Sequence, residues 1–264
     1  MKVGIITGTG TYVLPGLGAA QREPVTTRFG EAHVMQGRVG ETDVLHISRH
    51  GEGHRLLSSQ VTHRANIAAL QELGADCVLA VTVCGAVDPT LELGSLIVFD
   101  DLHFLANRLP DGTLCSFYDT PGDPLRGHWI FEDPFSREMR SMLLGACGDA
   151  GVSPRDGGCY GHVDGPRFNT RTEIRSLALA GVTAVSQTAA PETVLCGEAE
   201  LPYALLGYAT DYANGVQDEA TPVAELLRLI ATSAGVFARV LSAALPRLAG
   251  RELAPPGTVY RFEQ

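Results

Sequence analysis

Four short stretches of this 264-residue chain end an apolar run on groups able to hold an anion. Thr7-Gly8-Thr9-Gly10-Thr11 closes the first run; its glycines let backbone N–H groups converge, and its threonines add hydroxyls. Arg49-His50-Gly51, with His54 close behind, brings a planar fork of donors suited to phosphate. Thr82-Val83-Cys84-Gly85 sets a hydroxyl beside small residues. Ser186-Gln187-Thr188-Ala189-Ala190-Pro191-Glu192 places Thr188 where a strand hands over to a helix, and a helix N-terminus favours negative charge. A fifth apolar run, Ala204 to Ala209, is followed by a single carboxylate, Asp211. Taken singly, each stretch is equally well an ordinary turn, because Asp, Asn and Gly favour strand exits. Taken together, strand exits in a doubly wound sheet share one edge, where ligands bind, so a phosphate-like anion site is expected there.

Other chemistries lack their signatures. The third glycine of a dinucleotide-binding GxGxxG would fall on Val13, and no GK[ST] phosphate loop occurs. The eight histidines form no HExxH, no GxSxG elbow is present, and no cluster has zinc spacing, so the chemistry should need neither a metal nor a covalent serine. Six cysteines without CxxC spacing, several inside apolar runs, read as reduced buried thiols. A net charge of −10 argues against nucleic acid or an anionic membrane as partner, though not against one anionic substrate in a local site. The start at Met1–Val3 has no secretory pattern, and an uninterrupted apolar run of about 18 residues is absent. The expectation is a soluble cytoplasmic protein.

The elements that must position these residues alternate in type. Val3–Ile6, Val44–Ile47, Cys77–Val83, Leu96–Phe99, Val182–Ser186 and Tyr203–Thr210 read as strands. Helices are expected over Val61–Leu73, ending at Gly74, over Ser136–Ala150, ending at Gly151, and from the capping box Thr170-Arg171-Thr172-Glu173 to Ala180. Pro191 suits a first helical turn, and Thr221–Leu248 is a long C-terminal helical region. This alternation predicts one α/β domain over residues 1–264, with a mixed, mostly parallel central sheet flanked by helices. Asp101–Pro134 shows no periodicity and is expected to be a long functional or interface loop.

In order, GIITGTG, SRHGEGH, RANIAAL, TVCGA, SFYD, DGPRFNTRTE, PETVL and ATDY resemble the trimeric purine nucleoside phosphorylases, most closely their methylthioadenosine phosphorylase branch. The resemblance runs from about Lys2 to Leu241. It implies a nucleoside phosphorylase-like fold and phosphorolysis of a purine nucleoside to free base and ribose-1-phosphate, with phosphate as co-substrate and no cofactor. It implies a phosphate site at Thr9, Arg49, His50, Thr82 and Thr188, and a purine site at Phe168, Asn169 and Asp211. Asp211 would act as the acid that protonates purine N7. Gln187 would lie against the ribose, His128 would reach a neighbouring subunit's 5′ group, and Val223, Leu226 and Leu227 would line the 5′ pocket. A homotrimer or dimer of trimers follows, with the 101–134 segment as a subunit contact.

Four departures from the family pattern bear on the substrate. Ser186-Gln187-Thr188 stands for Asn-Met-Thr, Ala213 for the second Asp of TDxD, and Thr62-His63 for Asn-Tyr, while Leu56-Leu57-Ser58-Ser59 lacks the usual prolines. The base therefore stays open between an adenine-type nucleoside, such as 5′-deoxy-5′-methylthioadenosine, and a 6-oxopurine or modified nucleoside. A nucleoside hydrolase and a non-catalytic nucleotide sensor are the readings from other classes.

Overall fold

The computed structural model describes residues 1–12, 14, 16–17 and 21–262; Val13, the failed third glycine position, lies outside them. Strand β1 (Lys2–Thr7) runs parallel to β4 (Thr42–Ser48) on one side and β5 (Cys77–Ala86) on the other. Beyond β4 lies the antiparallel pair β3 (Gly30–Val39) and β2 (Gln21–Thr27). Strand β5 is a branch point. Most of its length pairs parallel with β12 (Tyr203–Tyr212), while Gly85 and Ala86 pair antiparallel with β11 (Val182–Ser186). The β11 arm continues through β10 (Cys159–His162) to β7 (Asp101–His103), and the β12 arm through β6 (Leu96–Val98) to β9 (Arg155–Asp156). The result is the mixed, mostly parallel sheet that the alternation of elements predicts.

Helices α1 (His63–Glu72) and α4 (Ala189–Glu198) pack on one face, where Ile67, Leu70, Leu195 and Cys196 join Ile6, Val78 and Leu205 in one core cluster. Helices α2 (Arg137–Asp149) and α5 (Val223–Leu248) pack on the other, with Met139, Leu143, Phe237 and Leu241 against Val3, Leu79 and Leu206. The residues of α3 (Arg171–Leu179) start at the expected capping box: Thr170 Oγ1 accepts from Glu173 N at 3.3 Å, and Glu173 Oε2 accepts from Thr170 N at 2.8 Å.

Helix α5 qualifies by length and composition as a membrane span, with a mean hydropathy of 1.5 over 18 residues, although no uninterrupted apolar run is there. Its Leu229, Ser233, Phe237, Leu241, Leu245 and Leu248 recur at helical spacing and are buried, so the face that could meet lipid meets the core instead.

The sheet has more strands than the sequence pattern predicts. Asp101–Pro134 is not one bare loop: it contains β7 and also β8 (Gly127–Phe131), which pairs antiparallel with β13 (Gly257–Arg261) in a separate ribbon. The paired Trp129 and Val259 face inward, yet Ile130 and Tyr260 on the exposed side are apolar too, so no alternation of residue type makes these strands readable. The β2–β3 pair sits at the sheet edge, and β10 spans only four residues, too few for a pattern to show.

Candidate active site

The strand exits do converge. A cavity of about 290 Å³ is lined by Thr9 beyond β1, Arg49 and His50 beyond β4, Thr82 of β5 and Thr188 ahead of α4, together with Phe168, Asn169, Gln187, Asp211 and Leu226. Thr82 is not at an exit, since β5 continues past it to Ala86. Gly8 and Gly10 are required by close approach. A Cβ on Gly8 would meet Arg49 Nη1 at 2.5 Å, and Gly10 has φ +82° with Ile230 O 2.9 Å from where its Cβ would lie.

Arg49 is a buried, paired cation rather than a free fork. Its Nε donates to Glu192 Oε1 at 2.5 Å and its Nη2 to Glu192 Oε2 at 2.7 Å. Its Nη1 donates to Val81 O at 3.1 Å, and Tyr203 OH donates to Glu192 Oε2 at 3.1 Å. Burial opposes the charge, yet the Glu192 carboxylate outweighs burial and raises the guanidinium above its ordinary range. Three of its five N–H bonds are thereby committed, and two are left to meet an anion.

Burial first, then Arg49 and His54, push His50 down to about 4. Its Nδ1 lies 2.9 Å from Leu56 O and so carries the proton; Nε2 is left as an acceptor, fit for a phosphate or sugar hydroxyl. His63, at 3.9 Å from Glu192, makes no hydrogen bond to it; burial and Arg49 push this ring down to about 3.

The helix N-terminus is not free either. Tyr160 OH accepts from Thr188 N at 3.4 Å and from Ala189 N at 3.1 Å, so these N–H groups are already satisfied. The Thr188 side chain makes no capping bond and is what this turn offers the cavity.

Asp211 is placed by an irregularity in β12. Ala209 faces Cys84 and Asp211 faces Gly85, leaving Thr210 as the extra residue of a bulge. The bulge turns the carboxylate into the cavity, where Thr210 Oγ1 donates to Oδ1 at 2.8 Å. Burial raises Asp211 above the usual carboxylate range, opposed only in part by that hydroxyl. Phe168 is 63% exposed at the rim. Asn169 Nδ2 donates to Glu173 Oε2 at 3.2 Å, and Asn169 O accepts from Asn214 Nδ2 at 2.7 Å. Gln187 lines the cavity, but its amide is engaged: Oε1 accepts from Ser58 Oγ at 2.8 Å, and Nε2 donates to Arg167 O at 3.1 Å.

Three expected residues are not brought to this cavity. Val223 and Leu227 are exposed on the first turns of α5, where Leu226, and Ile230 one turn on, are the described residues that line the cavity. His128 is exposed on β8, against Phe262 at 5.4 Å, outside its own chain's cavity. Glu192, Tyr160, Tyr203, Ser58, Asn214 and Ile230 are the contributors that sequence reasoning passed over. Ile230 was accessible, being one helical turn beyond Leu226. The partners of Arg49 were not, since a buried ion pair leaves no local sequence pattern.

Among the described residues, no group of three His, Cys, Asp or Glu side chains is placed to share a metal ion.

Known proteins share this arrangement of elements. The chain is 30% identical over 249 residues to the 6-oxopurine nucleoside phosphorylase of Pyrococcus furiosus, covering 93% of this chain and 92% of that enzyme. It is 34% identical over 230 residues to the probable S-methyl-5′-thioinosine phosphorylase of Methanopyrus kandleri, covering 87% and 86%. The methylthioadenosine phosphorylase of Schistosoma mansoni, solved in complex with adenine, superposes with a TM-score of 0.85 at 28% identity over 95% of this chain and 92% of that one. The profile of the phosphorylase superfamily matches residues 2–246, and with these relatives it shows that the chain belongs to that family.

Proposed function

We propose that the protein cleaves a 6-aminopurine nucleoside carrying an apolar 5′ substituent, with inorganic phosphate taking the sugar. Phosphorolysis of a purine nucleoside is the activity common to the relatives, and the cavity has the groups it requires. The observation that carries the reading is the protonatable Asp211 opposite Gly85, three residues along β5 from Thr82. At the rise of a strand that separation is about 10 Å, enough to seat a sugar between phosphate and base.

Phosphate held by Thr9, Thr82, Thr188 and the two remaining Arg49 N–H bonds stands beside C1′. As the C1′–N9 bond breaks, its electron pair passes to the purine and cationic character develops at C1′. A phosphate oxygen then forms the new bond to C1′. Asp211, whose protonated form burial favours, gives its proton to N7 and neutralises the departing base. With a 6-aminopurine the same carboxyl accepts from the amino group; with a 6-oxopurine it faces an oxygen without a hydrogen to offer. Leu226 and Ile230, beside the Thr9–Gly10 turn, supply an apolar wall for the 5′ group.

This reading takes the protein as a cytoplasmic homotrimer, in which His128 serves a neighbour's site, and needs no cofactor. A 6-oxopurine substrate is the second reading. It is favoured by Ala213, which removes a second carboxylate, and by the names of the Pyrococcus and Methanopyrus relatives. Base release from paired 6-amino and 6-oxo nucleosides, with and without phosphate, decides between them. Strict phosphate dependence and a preference of about 10- to 100-fold for the 6-aminopurine are expected, the cost of one unpaired buried polar group. Asp211→Asn should reverse that preference. A wild-type preference for the 6-oxopurine would establish the second reading, and phosphate-independent release would remove both.

A further inference from the structure

Two of the departures from the family pattern touch each other. Ser58, in the Leu56–Ser59 stretch, donates to Gln187, in the Ser186–Thr188 stretch, at 2.8 Å. The other end of the amide holds Arg167 O at 3.1 Å, and Gly165 presses against the middle: a Cβ there would overlap both Gln187 Oε1 and Ser58 Oγ. Three segments distant in sequence are thus tied at one amide. Arg167 is itself anchored to Glu173 by two bonds of 2.7 and 2.8 Å, so the tie ends on the capped start of α3.

On the far side of that amide lies a second cavity of about 440 Å³, lined by Arg108, His162 and Asp164. Ser58 and Gln187 line both cavities, so their hydrogen bond is part of the wall between them. Gln187 also precedes Thr188 of the phosphate end, while its amide binds the loop that leads into Phe168 at the purine end. It therefore borders the middle of the active-site cavity, where the sugar must sit.

We propose that the Ser58–Gln187–Arg167 bridge is a specificity-determining partition: it closes the sugar pocket against the adjoining chamber and so excludes nucleosides substituted on the 2′ or 3′ oxygen. The inference rests on the nucleoside phosphorylase reading. The 5′ end faces Leu226 and Ile230 and C1′ faces phosphate, which leaves the 2′,3′ edge toward Gln187. With the bridge removed, the two cavities merge, and a substituent on that edge enters a chamber that already has a cation and a carboxylate for polar groups.

The test compares kcat/KM for the parent nucleoside with that for its 2′-O-methyl and 3′-O-methyl derivatives, in wild type, Gln187→Ala, Gln187→Met and Ser58→Ala. Wild type should reject at least one derivative by about 100-fold or more. Gln187→Ala should narrow that ratio by about tenfold or more, and Gln187→Met, which restores bulk without hydrogen bonds, by less. Ser58→Ala, in which the amide keeps only Arg167, should narrow it least. Thermal melting confirms that each variant is folded. A ratio within twofold of wild type in all three folded variants overturns the partition. So does a wild type that accepts both derivatives as well as the parent. A wild type inactive on every purine nucleoside would instead count against the phosphorylase reading, which keeps the two failures distinct.

Discussion

The two ends of the cavity are built on opposite electrostatic principles. At the Arg49 end, where phosphate is proposed to bind, the charge is already matched: Arg49 is 2% exposed and gripped by Glu192, which Tyr203 supports in turn. At the Asp211 end, where the purine is proposed to sit, the carboxyl has a hydroxyl for company, and burial raises it toward its protonated form. A buried pair is rigid and holds its remaining donors in fixed positions, which suits a small anion of constant shape. A buried neutral acid stores a proton that can be given away, which suits a leaving group that acquires charge only during the reaction. Damage to the first end should therefore be felt in stability, and damage to the second in turnover.

The largest effect expected from this contrast is on turnover. Asp211→Ala should lower kcat by roughly 10²- to 10⁴-fold, the range for loss of a general acid, with little change in the phosphate KM. A kcat within threefold of wild type would leave the purine end without its acid. Next in size is the buried pair. Arg49→Ala strands the Glu192 carboxylate and should cost about 3–5 kcal/mol in urea denaturation, besides raising the phosphate KM. The double variant Arg49→Met, Glu192→Leu should regain most of that stability and none of the phosphate affinity. Stability unchanged in Arg49→Ala would erase the contrast.

A pH effect follows from the histidines around the pair. His63, pushed down to about 3, and His50, pushed down to about 4, stay neutral in the fold, while in the unfolded chain they take up protons near pH 6.5. Between those values the unfolded state binds more protons, so stability is complete above about pH 6.5 and falls as the pH drops, toward about 4 for His50 and about 3 for His63. Each ring contributes up to about 1.4 kcal/mol per pH unit. His63→Phe should flatten that slope; an unchanged slope would place the acid sensitivity elsewhere.

The smallest effect tests how the purine end is held. Asn214→Ala removes the bond to Asn169 O and should raise the nucleoside KM by about 2- to 10-fold, leaving the phosphate KM alone. Equal shifts in both constants would mean that the two ends are not independent.

The contrast also governs what could be read from the chain. Local chemistry marked Thr9, Arg49, Thr82 and Thr188 as candidate anion-binding groups, because glycine turns, hydroxyls and a strand-to-helix junction announce themselves within a few residues. The order of strands and helices was likewise legible for β1, β4, β5, β11 and β12, whose near-continuous apolar runs reflect burial on both faces. Tertiary structure alone decided what each group is free to do. The pairing of Arg49 with Glu192, the Tyr160 hydroxyl on the first turn of α4, and the tie between Ser58 and Gln187 all join distant segments. The ribbon of β8 and β13 depends in the same way on two segments finding each other, since neither has a one-sided apolar face to declare it. Asp211 shows both contributions at once. Its type and its place after a buried run were in the sequence, but its aim comes from the bulge at Thr210 and its raised pKa from burial, and both arise only when β12 is packed against β5.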